Sequence, residues 1–175
     1  MNTAMKGIGG SLLLLILVMF QVTPVLARSD DLIQHEIEAK IAGSTKLRDT
    51  RIEVHVEQRL VVLTGQVRLY EQKLISDRFA WTTLGVFEVD SEIRVVPKVA
   101  LADAAIEQKI RGIVNTYERF HGSGLVVAVD NGVVSIDGSF SGMGTPVFLK
   151  HKVGEIEGVV DIKIHATFLA WSSGT

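Results

Sequence analysis

The chain has 175 residues, with 18 Lys and Arg against 20 Asp and Glu, and contains no cysteine. The absence of cysteine excludes a disulfide framework and leaves no thiol to carry a lipid anchor. The near-balanced charge lacks the concentrated basic face that a polyanion selects, so no nucleic-acid partner is expected.

The first elements belong to export rather than to a fold. Lys6 precedes an almost uninterrupted apolar run from Ile8 to Phe20, and Val25-Leu26-Ala27 offers the small side chains that a signal peptidase reads. The run is short of the roughly 20 apolar residues needed to span a bilayer. Residues 1–27 are therefore expected to be a signal peptide cleaved after Ala27, with an uncleaved signal anchor as the alternative, giving an exported protein that is not a lipoprotein.

The remainder contains one pattern twice. Placing Ile52 on Leu125, a shift of 73, aligns Ile33, Ile37 and Ile41 with Ile106, Ile110 and Val114, Val54 and Val56 with Val127 and Val129, and Gly85 with Gly158, without an insertion. Two repeats are too few for a solenoid and predict two small tandem units.

Each unit opens with apolar residues spaced by four, the stripe of an amphipathic helix, and Asp31 and Asp103 are the expected N-caps. A hairpin follows. Asn131-Gly132 suits a two-residue type I′ turn, whose central positions both need positive φ. That turn pairs Val129 with Val134, Val127 with Ile136 and Leu125 with Gly138. The same register in the first unit pairs Val56 with Val61, Val54 with Leu63 and Ile52 with Gly65. Gln58-Arg59 is a poor type I′ sequence, which predicts a different or looser first turn.

Second helices are predicted over Glu71–Leu84 and Thr145–Glu157, the latter begun by Thr145 as cap and Pro146 at the first helical position, and both ended by Gly85 and Gly158. Third strands follow at about Val86–Val95 and Val159–Phe168. The order is αββαβ, twice, giving an α+β chain in which each unit lays two helices on one face of a three-stranded sheet. Units this small are marginal alone, and the connector Val96-Pro97-Lys98-Val99-Ala100 is short, so contact between them is expected.

These features resemble the BON domain. The resemblance is carried by the amphipathic first helix, the hairpins VHVEQRLVVLTG and VAVDNGVVSIDG, and the Gly-Val that opens each last strand. It implies a first BON domain at 30–96, a linker at 97–101, a second BON domain at 102–169 and a tail at 170–175. A signal peptide followed by two such units is similar to the OsmY-like periplasmic proteins. The resemblance implies no catalysis and no cofactor. It also implies an envelope protein that binds phospholipid surfaces in maintenance or stress response, with client-holding chaperone activity, or a structural place in an envelope assembly, as alternatives.

Candidate interaction residues come from the differences between the units. On the outer sheet face the first unit presents Glu53, His55 and Glu57, where the second presents Val126, Ala128 and Val133. A sheet face that meets water is ordinarily polar. Either the first unit covers the second unit's face, or Val126, Ala128 and Val133 form a site for a lipid or protein partner. Lys150 and Lys152 flank His151 in a short basic cluster, either a solvated helix face or a contact for an anionic leaflet. Ser-Gly-Met-Gly-Thr before the fourth helix lacks the spacing and lysine of a phosphate-binding loop and reads as a turn. The histidines at 35, 55, 121, 151 and 165 show no metal-ligand spacing, and no serine or paired acid stands in a catalytic motif, so no metal and no enzyme is expected. Trp81 reads as a core or interface residue. Trp171 lies in the tail.

Overall fold

The computed structural model describes residues 28–168. The expected signal segment with its cleavage site after Ala27, and the chain from 169 onward with Trp171, lie outside the described residues.

The described chain is a mixed α+β structure with four α-helices and two sheets. In the first half, helix α1 (Asp30–Gly43) is followed by strands β1 (Arg51–Glu57) and β2 (Leu60–Val67), helix α2 (Tyr70–Trp81) and the short strands β3 (Glu88–Ser91) and β4 (Arg94–Val95). The second half repeats the order with α3 (Asp103–Thr116), β5 (Val126–Asp130), β6 (Val133–Phe140), α4 (Gly144–Gly154) and β7 (Asp161–Phe168). In each sheet the hairpin is antiparallel and the last strand lies parallel to the middle one.

The hairpin registers agree with the alternation of apolar residues. Val54 lies opposite Leu63 and Val56 opposite Val61, with Ile52 opposite Gly65; Val127 lies opposite Ile136 and Val129 opposite Val134. Leu125 falls just before β5, outside the ladder. Ile33 and Ile37 of α1 are fully buried against this face in the first half, and Ile106 and Ile110 of α3 occupy the matching positions in the second.

Several local expectations are corrected. The first turn is not loose: Glu57 pairs with Leu60, and Gln58 and Arg59 both take positive φ, 50° and 68°. The left-handed conformation costs a non-glycine residue about 1–2 kcal/mol, and the compensation is tertiary. Both backbone N–H groups donate to the Asp30 carboxylate, at 2.8 and 2.9 Å, and the Arg59 Nε donates to the Gly85 carbonyl. Asp103 does the same in the second half, accepting from Asn131 and Gly132 at 2.9 Å each. Asp31 and Asp103 are therefore not the N-caps. Ser29 caps α1, its hydroxyl accepting from the Leu32 N–H, and Ala102 stands at the α3 cap without a side-chain bond.

Helix α4 begins at Gly144 with Met143 in the cap position and no side-chain cap bond, so Thr145 lies inside the first turn. Pro146 is tolerated there because its missing N–H would have no helical acceptor. Both second helices end three residues earlier than expected, and Gly85 and Gly158 instead shape the turn beyond them, with φ of 100° and 93°. These glycines also let the first helices approach: a Cβ on Gly85 would lie 3.1 Å from Ile33 Cδ1, and one on Gly158 would lie 3.3 Å from Ile106 Cδ1. The last strand of the first half is interrupted at Glu92-Ile93, where Ile93 turns into the core.

The halves meet through their second helices. Tyr70, the first residue of α2, is buried in the apolar cluster of the second half. A Cβ on Gly154 would lie 2.9 Å from the Glu71 backbone nitrogen, so the end of α4 touches the start of α2. Around this contact, Glu157 accepts from the backbone of Lys98 and Val99 and faces Arg68 at 3.5 Å, while Lys46 pairs with Glu71 and reaches Glu155 at 3.9 Å.

Candidate functional site

The outer face of the second sheet is open. Val126 is 64% exposed, Ala128 is exposed and Val133 is half-buried. The first half does not cover this face, because its contact is made through α2 on the helical side. The expectation that the first unit shields Val126, Ala128 and Val133 is therefore corrected. The register shows how the face tolerates water: Val126 sits opposite Asp137 and Ala128 opposite Ser135, with Lys163 and His165 on β7 completing those rows. His165 Nδ1 lies 3.1 Å from the Asp137 carboxylate.

The basic cluster of α4 is divided by the contact between the halves. The Lys150 ammonium stands 5.6 Å from the ring centre of Tyr70, a cation–π placement. Lys152 pairs with Glu155 at 3.0 Å, which raises its pKa. Between them His151 is half-buried; burial first, and then the Arg78 guanidinium, holds its pKa below the usual value, against the opposing pull of Glu71. Lys150 and Lys152 thus each have a partner within the molecule, Tyr70 and Glu155.

A different surface stands out in the first half. Trp81 is 57% exposed, Leu84 74% and Phe87 72%, three large apolar side chains within seven residues of chain at the end of α2. Trp81 is therefore neither core nor interface. Local chemistry holds this segment in place. The Thr82 and Thr83 hydroxyls bond back to carbonyls of α2, and Arg28 and Arg59 donate to the Leu84 and Gly85 carbonyls. Arginine donors suit the negative end of a helix. Arg78 is exposed one turn before Trp81, and Glu88 is exposed just beyond Phe87. The corner is apolar and carries both signs of charge. The signal for it was present in the repeat, since Trp81, Leu84 and Phe87 fall on Gly154, Glu157 and Val160 in the second half.

The remaining sequence candidates do not converge. The Gly-rich segment before α4 is a turn, with the Thr145 N–H donating to the Gly142 carbonyl at 3.2 Å. Among the described residues no three His, Asp or Glu side chains are grouped as ligands, and no helix is long and apolar enough to cross a membrane.

Residues 29–97 match the family model of the BON domain. The match covers the first half, including α1, its sheet, α2 and the Trp81–Phe87 corner. Among solved structures the chain is similar to the C-terminal domain of CdsD, described as the structural protein of the type III secretion system of Chlamydia trachomatis. The identity is 12% and the TM-score 0.36, with 81% of this chain and 68% of that chain covered. A second CdsD structure from the same organism aligns at 12% identity and a TM-score of 0.34, covering 81% of this chain and 64% of that one. No curated protein matches this chain.

Proposed function

We propose that this is an exported, non-enzymatic envelope protein of two BON units that associates with phospholipid surfaces in envelope maintenance or stress response. The BON match at 29–97 supports the first unit. The second unit is inferred from the repeated element order, the same hairpin register and the same Asp-to-turn bonds in Asp103–Phe168. Export is inferred from the sequence of residues 1–27, and the periplasm from the resemblance to the OsmY-like proteins.

The observation that carries the lipid reading is the exposed Trp81, Leu84 and Phe87 inside the matched segment. Tryptophan and phenylalanine beside arginine suit the boundary between headgroups and acyl chains. Partial insertion of the three side chains would contribute on the order of 3–5 kcal/mol, taking about 1.5–3 kcal/mol for each when fully buried. Because Arg28 and Arg59 are engaged by carbonyls and the exposed Arg78 is matched in formal charge by the exposed Glu88, insertion rather than charge drives this contact. Binding should then depend only weakly on salt.

Co-sedimentation with vesicles of phosphatidylglycerol and phosphatidylcholine tests the reading. Wild-type protein is expected in the vesicle pellet, and Trp81→Ser/Leu84→Ser/Phe87→Ser is expected to partition at least tenfold less, with an unchanged circular dichroism spectrum. Equal partitioning of the two proteins, or none by the wild type, would count against it. The alternative of a client-holding protein is favoured by one observation: among the described residues β5 pairs on one side only, with β6, and carries no charge from Val126 to Val129.

A further inference from the structure

Among the described residues each sheet ends in two strands that have no neighbour on one side, and three of these four edges expose several ionisable side chains. β1 exposes Arg51, Glu53, His55 and Glu57; β3 and β4 expose Glu88, Asp90 and Arg94 and are interrupted; β7 exposes Lys163 and His165. Charged side chains and interruptions are the usual means by which a sheet edge is protected from pairing with another chain. The fourth edge, β5, reads Val126-Val127-Ala128-Val129 and meets a charge only at its last residue, Asp130.

The space beside this edge differs as well. Between β5 and α3 runs a groove of about 460 Å³, lined by Val114, Leu125 and Val127 with Arg111 and Asn115 at its polar side. The equivalent groove between β1 and α1 is about 280 Å³ and has Glu38 and Arg48 in its wall. Arg111 is already paired with Glu107 at 3.1 Å. A strand edge uncharged from Val126 to Val129 and a wider groove whose one cation is already paired therefore lie side by side only in the second half of the described chain.

We propose that β5 accepts an extended, uncharged, β-branched-rich segment of another polypeptide as an added strand. Main-chain bonds to the free edge would hold the segment, and its alternate side chains would enter the groove. The strand carries no charge before Asp130, and the groove's one cation, Arg111, is already paired with Glu107, so a charged segment would lose its solvation there without gaining an unengaged partner. A folded second copy is the poorer occupant. The edge is five residues long, against the roughly 20–30 residues a side of a stable interface between folded proteins. This surface lies in the other half from the Trp81 corner, so it stands or falls apart from lipid association.

The test uses the full chain and an end-blocked fluorescent peptide of alternating valine and threonine, read by anisotropy. Val126→Glu/Ala128→His writes the side chains of β1 onto β5 at two exposed positions and is expected to weaken peptide binding at least tenfold. It should leave vesicle co-sedimentation unchanged. The same peptide methylated on alternate backbone nitrogens keeps its side chains but loses its donors, and is expected to bind at least tenfold more weakly. Undiminished binding of the methylated peptide, no binding of the parent peptide, or self-association of the wild-type chain abolished by the double substitution would each overturn the proposal. Loss of vesicle binding in the double variant would assign the face to lipid and overturn it too.

Discussion

Asp30 and Asp31 stand side by side in the first turn of α1, yet they should differ widely in their effect on stability. Both favour the positive end of the helix dipole, a contribution of about 0.3–1 kcal/mol apiece. Only Asp30 also closes the first hairpin, accepting from Gln58 and Arg59 at 2.8 and 2.9 Å. A bond to a charged acceptor contributes about 1.5–3 kcal/mol, less at an exposed site, so two of them and the dipole together come to about 2–3 kcal/mol. Asp30→Ala is expected to lose that amount and Asp31→Ala no more than about 1 kcal/mol. Gln58→Asn should recover part of the loss, because asparagine tolerates positive φ better than glutamine does. Urea unfolding followed by circular dichroism measures all three, with midpoints compared at a common m-value. Equal losses for Asp30→Ala and Asp31→Ala would refute the idea that the carboxylate holds the turn.

Gly154→Ala places a Cβ 2.9 Å from the Glu71 backbone nitrogen; neither helix end can move freely, and a loss of about 1–3 kcal/mol is expected in the same urea experiment. Burial, with the Asp161 carboxylate next in weight, raises the pKa of Tyr70 to about 12. The folded state keeps the phenol protonated, so stability is full below the unfolded value near 10 and falls as pH rises from there toward about 12. Absorbance titration of wild type and Tyr70→Phe should differ by one tyrosinate formed near that upper value. His151 shifts the other way: burial disfavours its charged form. The stability it contributes is present above the unfolded value near 6.5 and declines as pH falls below it. His151→Gln is expected to flatten the slope of urea midpoint against pH in that range, and an unaltered slope would exclude His151 as its source.

Period decided what was legible in the sequence. Ile33 and Ile37 at helical spacing, and Val54, Val56, Val61 and Leu63 at alternate positions, state which side of each element is apolar, and that is enough to set element order and register. The candidate sites were less legible because exposure depends on what lies across the chain. Val126 and Ala128 are uncovered, although their apolar character alone suggested a cover. Trp81 faces outward, although its size suggested an interior place. Lys150 is drawn onto Tyr70, a residue 80 positions away.

The sequence by itself determined the duplicated αββαβ order and the pairing within each hairpin, since both follow from local spacing and the demands of a two-sided strand. Only the tertiary structure decided that Asp30 steadies an unfavourable turn, that α2 and α4 form the contact between halves, and that β5, charged only at Asp130, lies at a sheet edge among the described residues. Those outcomes depend on groups brought together from distant parts of the chain, and periodicity along a single element carries no information about them.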